Sequence, residues 1–180
     1  MLHPGSIVLI EGTGGVSTFA MQFAAAAGAR IIQTSSSDVK LERTQTIAKH
    51  TSVNYRRYPG WSRRVLSLTG GHGADLIVDV GGKTTLPRAI QCLAYGGRLA
   101  IVGGLTGYGG DVPALALLGK VAGAQGVYVG SRADFLRMDT FIETHHLHPV
   151  IDRVFKFSDF GRALAYMKAG HFVGKIVLKM

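Results

Sequence analysis

A chain of 180 residues suits one domain, or one domain with an appendage. With 47% hydrophobic and 17% charged residues it can bury a full core, which excludes a disordered chain, and 25 glycines without a Gly-X-Y period beside 5 prolines exclude collagen-like and low-complexity classes. The net charge of +9 is scattered, gathering no further than Arg56-Arg57 and Arg63-Arg64, so it fits attraction of anionic small molecules and argues against a nucleic-acid partner.

The first predicted strand is Ile7 to Ile10 and the first helix Val16 to Ala27, with Gly28 as a stop signal just past its end. Between them stands Gly12-Thr13-Gly14-Gly15-Val16-Ser17, a Gly-x-Gly-x-x-Ser spacing between a strand and a helix. That is the context in which such a turn binds a dinucleotide. Gly12 allows the tight turn, and Gly14 removes a side chain so that a diphosphate can approach the backbone. Ser17 takes the place of the usual third glycine, which lets helix and strand pack closely. The N–H groups and the dipole of the helix start favour an anion.

The second strand, Arg30 to Thr34, ends in Thr34-Ser35-Ser36-Ser37, and Ser37 or Asp38 can cap the helix running through Leu41 and Ile47. An acid at that strand end would accept from the adenosine ribose hydroxyls and repel a 2′-phosphate. Here hydroxyls stand instead, with Lys40 beyond, so Ser35, Ser36 and Lys40 favour NADP(H) over NAD(H).

A third strand follows at Ser52 to Tyr55, a helix at Trp61 to Leu68, a strand at Leu76 to Val80, a helix at Leu86 to Leu93 and a strand at Leu99 to Val102. The apolar runs are continuous, as in strands covered on both faces. Glycine pairs close two of these strands, so backbone at Val80, Gly81, Val102 and Gly103 is expected to line the nicotinamide half of a crevice beyond the strand ends. Residues 1 to 130 therefore read as a doubly wound parallel α/β layer of the Rossmann type with helices on both faces. Residues 131 to 180 read as a C-terminal α/β tail: a helix at Phe135 to Thr144, a strand at Val150 to Phe155, a helix at Phe160 to Ala169 and a strand at Lys175 to Leu178.

No catalytic residue can be assigned from this pattern. Asp79 reads as loop support, Cys92 as a small core residue, His72 as a surface turn residue and Thr144-His145-His146-Leu147-His148-Pro149 as a solvated helix end without zinc-ligand spacing. The single cysteine implies a reducing compartment. No uncharged apolar stretch reaches the ~18 residues of a membrane span, and the N-terminus lacks a leader pattern. A cytoplasmic location and no membrane partner are expected.

The stretches PGSIVLIEGTGGVSTFAMQFAAAAGARIIQTSSS, KLERTQ, VNYR, DLIVDVGG, YGGRLAIVGG and GKIVLK resemble the cofactor-binding half of the medium-chain dehydrogenase/reductase superfamily, the alcohol dehydrogenase and quinone oxidoreductase group. The sequence departs from that group at Ala48-Lys49-His50, where members usually carry Gly-Ala-Asp. The resemblance implies that Lys40 and Tyr55 help to hold a 2′-phosphate, and that hydride passes between a nicotinamide and a small carbonyl or activated-alkene substrate. It also implies an N-terminal catalytic domain ahead of the first strand. Met1 to Gly5 lead straight into that strand, so a truncated or short form is expected, with no zinc in this chain. The resemblance implies an edge strand at Val127 to Gly130, and a homodimer is expected through that edge, through the tail, or both; the alternative is that the tail docks on its own α/β layer. The alternatives are a short relative reused for isomerase, lyase or cyclisation chemistry, and a non-catalytic cofactor-binding subunit.

Overall fold

In the computed structural model, which describes residues 2–109 and 112–180, the apolar run that opens the chain becomes β1 (Ile7–Glu11), buried along its whole length. Side chains alternate across a strand, so a run that is apolar throughout needs cover on both sides. Ile7 and Leu9 face Trp61, Val65, Leu86 and Ile90, whereas Val8 and Ile10 face Met21 and Ala24. Helix α1 (Gly15–Ala26) thus covers one face, and α3 (Trp61–Leu68) and α4 (Leu86–Gln91) cover the other.

The remaining strands of the layer are β2 (Arg30–Ser35), β3 (Thr51–Asn54), β4 (Ala74–Asp79), β5 (Leu93–Ile101) and β6 (Gly123–Gly126). They form one six-stranded sheet in the order β3-β2-β1-β4-β5-β6, and every pair is parallel. The chain order reverses between β1 and β4, which puts the switch point of this doubly wound sheet at the carboxyl end of β1. Helix α2 (Asp38–Thr44) joins β2 to β3; Ser37 caps it, accepting from the Lys40 backbone N–H at 3.3 Å. Past α2, the Gln45 side chain donates to the His50 carbonyl at 2.9 Å and accepts from its N–H at 3.3 Å, which fixes the turn at Ala48-Lys49-His50.

Several elements differ from the sequence expectation, including α2, which ends at Thr44 rather than continuing through Ile47. Strand β5 starts at Leu93 rather than Leu99. Ala74 pairs with Leu93 and Leu76 with Arg98, so Tyr95-Gly96-Gly97 bulge out between two pieces of one ladder. The expected edge strand Val127 to Gly130 is not a strand, and the sheet edge is β6 instead. Ile101 is the last ladder partner that β5 supplies, opposite Gly126; Val127 adds one bond to the Ile101 carbonyl at 2.9 Å, and the chain then leaves the sheet. The short α5 (Ala114–Gly119), which carries little periodicity, precedes β6.

Helix α6 (Arg132–Thr144) starts at a capping box made by Ser131 and Asp134. It leads to β7 (Ile151–Lys156), α7 (Phe160–Ala169) and β8 (Lys175–Lys179), in which β7 and β8 form a separate two-stranded parallel sheet. This unit returns to the carboxyl edge of the large sheet. Gly174 donates to the Thr13 carbonyl at 2.9 Å and forms a bridge with Gly14. Among the described residues no helix is long and apolar enough to cross a membrane.

Candidate functional site

The site grows from the point where β1 hands over to α1. Gly12 has φ +75°, a left-handed conformation that a side chain would strain, and its N–H donates to the Thr34 carbonyl at 2.8 Å. Ser17 is buried, and its hydroxyl donates to the Glu11 carbonyl at 2.6 Å. The departure from glycine at this third position therefore ties the helix start to the strand end. Gly14 is the N-cap of α1, no side chain caps that helix, and a Cβ on Gly14 would meet nothing within 4 Å. Internal packing does not demand glycine there; the space that it leaves belongs to a cleft. Helix first-turn N–H groups have no intrahelical acceptor, so an anion is a fitting partner for them.

The opposite wall comes from β2, α2 and β3. Ser35 ends β2 and Ser36 follows it, Lys40 projects from α2, and the half-exposed Tyr55 follows β3, with its N–H on the Ser35 carbonyl at 3.0 Å. Lys40 Nζ donates to the Gly170 carbonyl, 130 residues away in sequence, at 2.7 Å. Burial pulls its pKa below the ordinary lysine range, and the nearby charges of Arg43 and Arg56 push the same way. An ammonium in that setting gains from an arriving anion, and two of its three donors remain for one.

A cavity of about 410 Å³ joins these walls. Of the sequence-predicted binding residues, it brings together Gly12, Thr13, Gly14, Gly15, Val16, Ser35, Ser36, Lys40, Tyr55, Val80, Val102 and Gly103. Gly81 does not reach it and lines an adjoining cavity of about 260 Å³. The later glycines also let two loops touch: a Cβ on Gly103 would stand 2.8 Å from the Val80 carbonyl, and one on Gly82 would stand 2.8 Å from Gly104 Cα. Sequence reasoning allowed the tail to dock on the layer but did not find the residues that it brings to the cleft. Gly170 and Phe172 line the cleft, and the Lys175 side chain lies over Gly15, its Nζ 2.7 Å from where a Cβ would sit. A cation beside the start of α1 thus comes from the far end of the chain, a placement that no local spacing encodes.

The other candidates take structural places. The Asp79 carboxylate accepts from the Gly82 N–H at 2.8 Å and the Thr85 hydroxyl at 2.5 Å, which supports the loop after β4. Cys92 is fully buried, and burial pushes its thiol up to about 12, far from a reactive thiolate. His72 contacts Asp75 at 2.8 Å, at the amino end of the sheet. His145, His146 and His148 follow α6. Among the described residues no group of three or more His, Cys, Asp or Glu side chains could hold a metal ion.

Residues 15–144 match the zinc-binding dehydrogenase family. A zinc-type alcohol dehydrogenase-like protein of Schizosaccharomyces pombe is 40% identical over 99% of this chain and 53% of its own length. Among solved structures, one described as an alcohol dehydrogenase of Sinorhizobium meliloti superposes with TM-score 0.91 at 37% identity, covering 99% of this chain and 52% of that one. Another, described as an NAD-dependent alcohol dehydrogenase, gives TM-score 0.88 at 33% identity, covering 99% of this chain and 52% of that one. The chain belongs to the zinc-binding dehydrogenase family and matches the cofactor-binding half of the medium-chain dehydrogenase/reductase architecture. It spans about half the length of the relatives that it matches. Zinc, which the family name implies, does not fit the donor set of this chain: one buried cysteine, and no suitable cluster among the described residues.

Proposed function

We propose that this chain is the nicotinamide-dinucleotide-binding part of an oxidoreductase that passes hydride between the cofactor and a carbonyl or activated alkene, with NADP(H) favoured over NAD(H). The observation that carries the reading is Gly14, open to a cleft at an uncapped helix start, facing the Ser36, Lys40 and Tyr55 wall.

In this reading the backbone of Gly14, Gly15 and Val16 holds the diphosphate, with Lys175 adding a positive charge beside it. Ser36, Lys40 and Tyr55 hold the 2′-phosphate by charge-assisted and neutral hydrogen bonds. Arg43 and Arg56 strengthen the local positive field that burial already makes unfavourable for Lys40 alone. Asp38, an acid on that helix, is occupied by Arg57 at 2.7 Å. Val80, Val102 and Gly103 form the floor for the nicotinamide end. The nicotinamide, when bound, supplies or accepts the hydride, while the protein orients it. NAD-dependence in a relative at 33% identity makes the 2′-phosphate wall the point to test.

Calorimetric titration of NADPH and NADH into wild type and Lys40→Ala checks the assignment. The variant should bind NADPH about tenfold more weakly, the worth of one charge-assisted hydrogen bond, with NADH changed less than about twofold. Equal losses for both cofactors would remove the preference for NADP(H).

A further inference from the structure

Glu11, the last residue of β1, is 96% buried, and neither of its carboxyl oxygens has a hydrogen-bond partner among the described residues. It lies on the same face of the sheet as Leu9, and its head stands near Asp79, Thr85 and the Gly81 backbone, none of which meets its oxygens in hydrogen-bond geometry. The β1–β4 register pairs Ile10 with Val78, so Glu11 stands beside Asp79, the next residue of β4. Asp79 is satisfied by Gly82 and Thr85; Glu11 is not. Burial, and then the neighbouring Asp79 charge, hold its pKa well above the usual carboxylic range. A buried polar group without a partner is a costly arrangement that structures rarely keep unless something completes it.

Glu11 borders the cavity of about 260 Å³, whose other walls include Trp61, Thr84 and Arg88. Arg88 is exposed and makes no ion pair with Glu11 among the described residues. Gly12, Tyr55, Val80 and Leu105 line this cavity and the main cleft alike, so the two adjoin. With a diphosphate on Gly14 and a 2′-phosphate at Lys40, the ribose lies between them. The base then continues past Tyr55 and Val80 into the second cavity, where aromatic and apolar walls suit a flat ring.

We propose that Glu11 determines base specificity, accepting a hydrogen bond from the exocyclic amino group of the adenine ring that enters this cavity. The proposal rests on the dinucleotide reading above. A buried acceptor beside the aromatic and apolar walls of Tyr55, Trp61 and Val80 selects a base that donates there and rejects one that cannot, because its own unpaired state persists in the wrong complex.

The test titrates NADPH and its 6-desamino (purine) analogue into the wild-type chain, Glu11→Met and Glu11→Gln. Wild type should bind the analogue about tenfold more weakly than NADPH, as expected for the loss of one hydrogen bond to a buried carboxyl. Glu11→Met should bind both ligands alike, at the wild-type affinity for the analogue. Glu11→Gln, which keeps an acceptor oxygen, should restore part of the difference. Equal binding of the two ligands by wild type, or a tenfold difference that survives in Glu11→Met, overturns the role of Glu11 and leaves the dinucleotide reading standing. Failure of wild type to bind either ligand overturns both. If Glu11→Met does not fold, the wild-type and Glu11→Gln comparisons decide.

Discussion

The layer around β1 and the unit formed by β7, α7 and β8 both pair parallel strands with helices but differ in how far they are buried. Every residue of Ile7–Glu11 is buried, whereas Ile151–Lys156 has none that is, and in α7 the one buried side chain is Ala163. The first region is held by apolar area removed from water on two faces. The second is held to the first largely by polar contacts at the rim of the cleft: Gly174 on Thr13, Lys40 on Gly170, and Arg43 on Asp152 at 2.5 Å. Burial makes the scaffold, and a handful of directional bonds place the Lys175 cation over it. A region built from burial tolerates little change in its side chains. One built from rim contacts can loosen while the scaffold remains folded.

That contrast gives a ranked set of tests. Leu9→Ala removes a fully buried side chain at the centre of the layer and should cost about 2–5 kcal/mol of global stability in a denaturant titration. A loss well under 1 kcal/mol would mean that the layer is not the scaffold. Asp152→Ala deletes the acceptor shared by Arg43, Tyr166 and the Val173 N–H, and should cost about 1 kcal/mol, confined to the tail. Hydrogen exchange would then quicken roughly fivefold in β8 and stay unchanged in β1. Equal acceleration in both strands would erase the distinction between the regions.

The same carboxylate gives a pH dependence of known sign. Burial acts to raise the Asp152 pKa, but its bonds to Tyr166, Arg43 and Val173 outweigh this and leave it below the ordinary value of 3.8. The contribution of Asp152 is therefore present above that value and is lost as pH falls through the depressed native pKa. Tail exchange in wild type should quicken only under acid conditions, and Asp152→Ala should lack that step.

How much of this was legible in the sequence follows the range of each interaction. The β1–α1 handover was readable because the apolar run, Gly12, Gly14 and the helix all lie within a few residues. The serine cap and the hydroxyl wall of Ser35 and Ser36 are equally local. Lys175 over Gly15 and Lys40 on Gly170 were not readable, since each joins the first quarter of the chain to its end. The expected strand at Val127–Gly130 failed for a related reason: its β-branched residues look more strand-like than Gly123-Ala124-Gln125-Gly126, but the ladder is set by where β5 offers partners. Glu11 was overlooked although it stands beside the glycine motif. The available signal was a carboxylate ending a strand whose neighbours are all apolar.

The most direct test of the central claim is NADPH calorimetry on wild type beside Gly14→Val. Gly14 has φ −80° and ψ −172°, extended backbone that valine adopts, and its Cβ would meet only the open cleft, so the variant should melt within a few degrees of wild type. The account predicts saturable binding by wild type and a loss of at least about tenfold in the folded variant, because the new side chain stands where the diphosphate must approach the backbone. Undiminished binding by Gly14→Val, or no saturable heat with wild type, would contradict it.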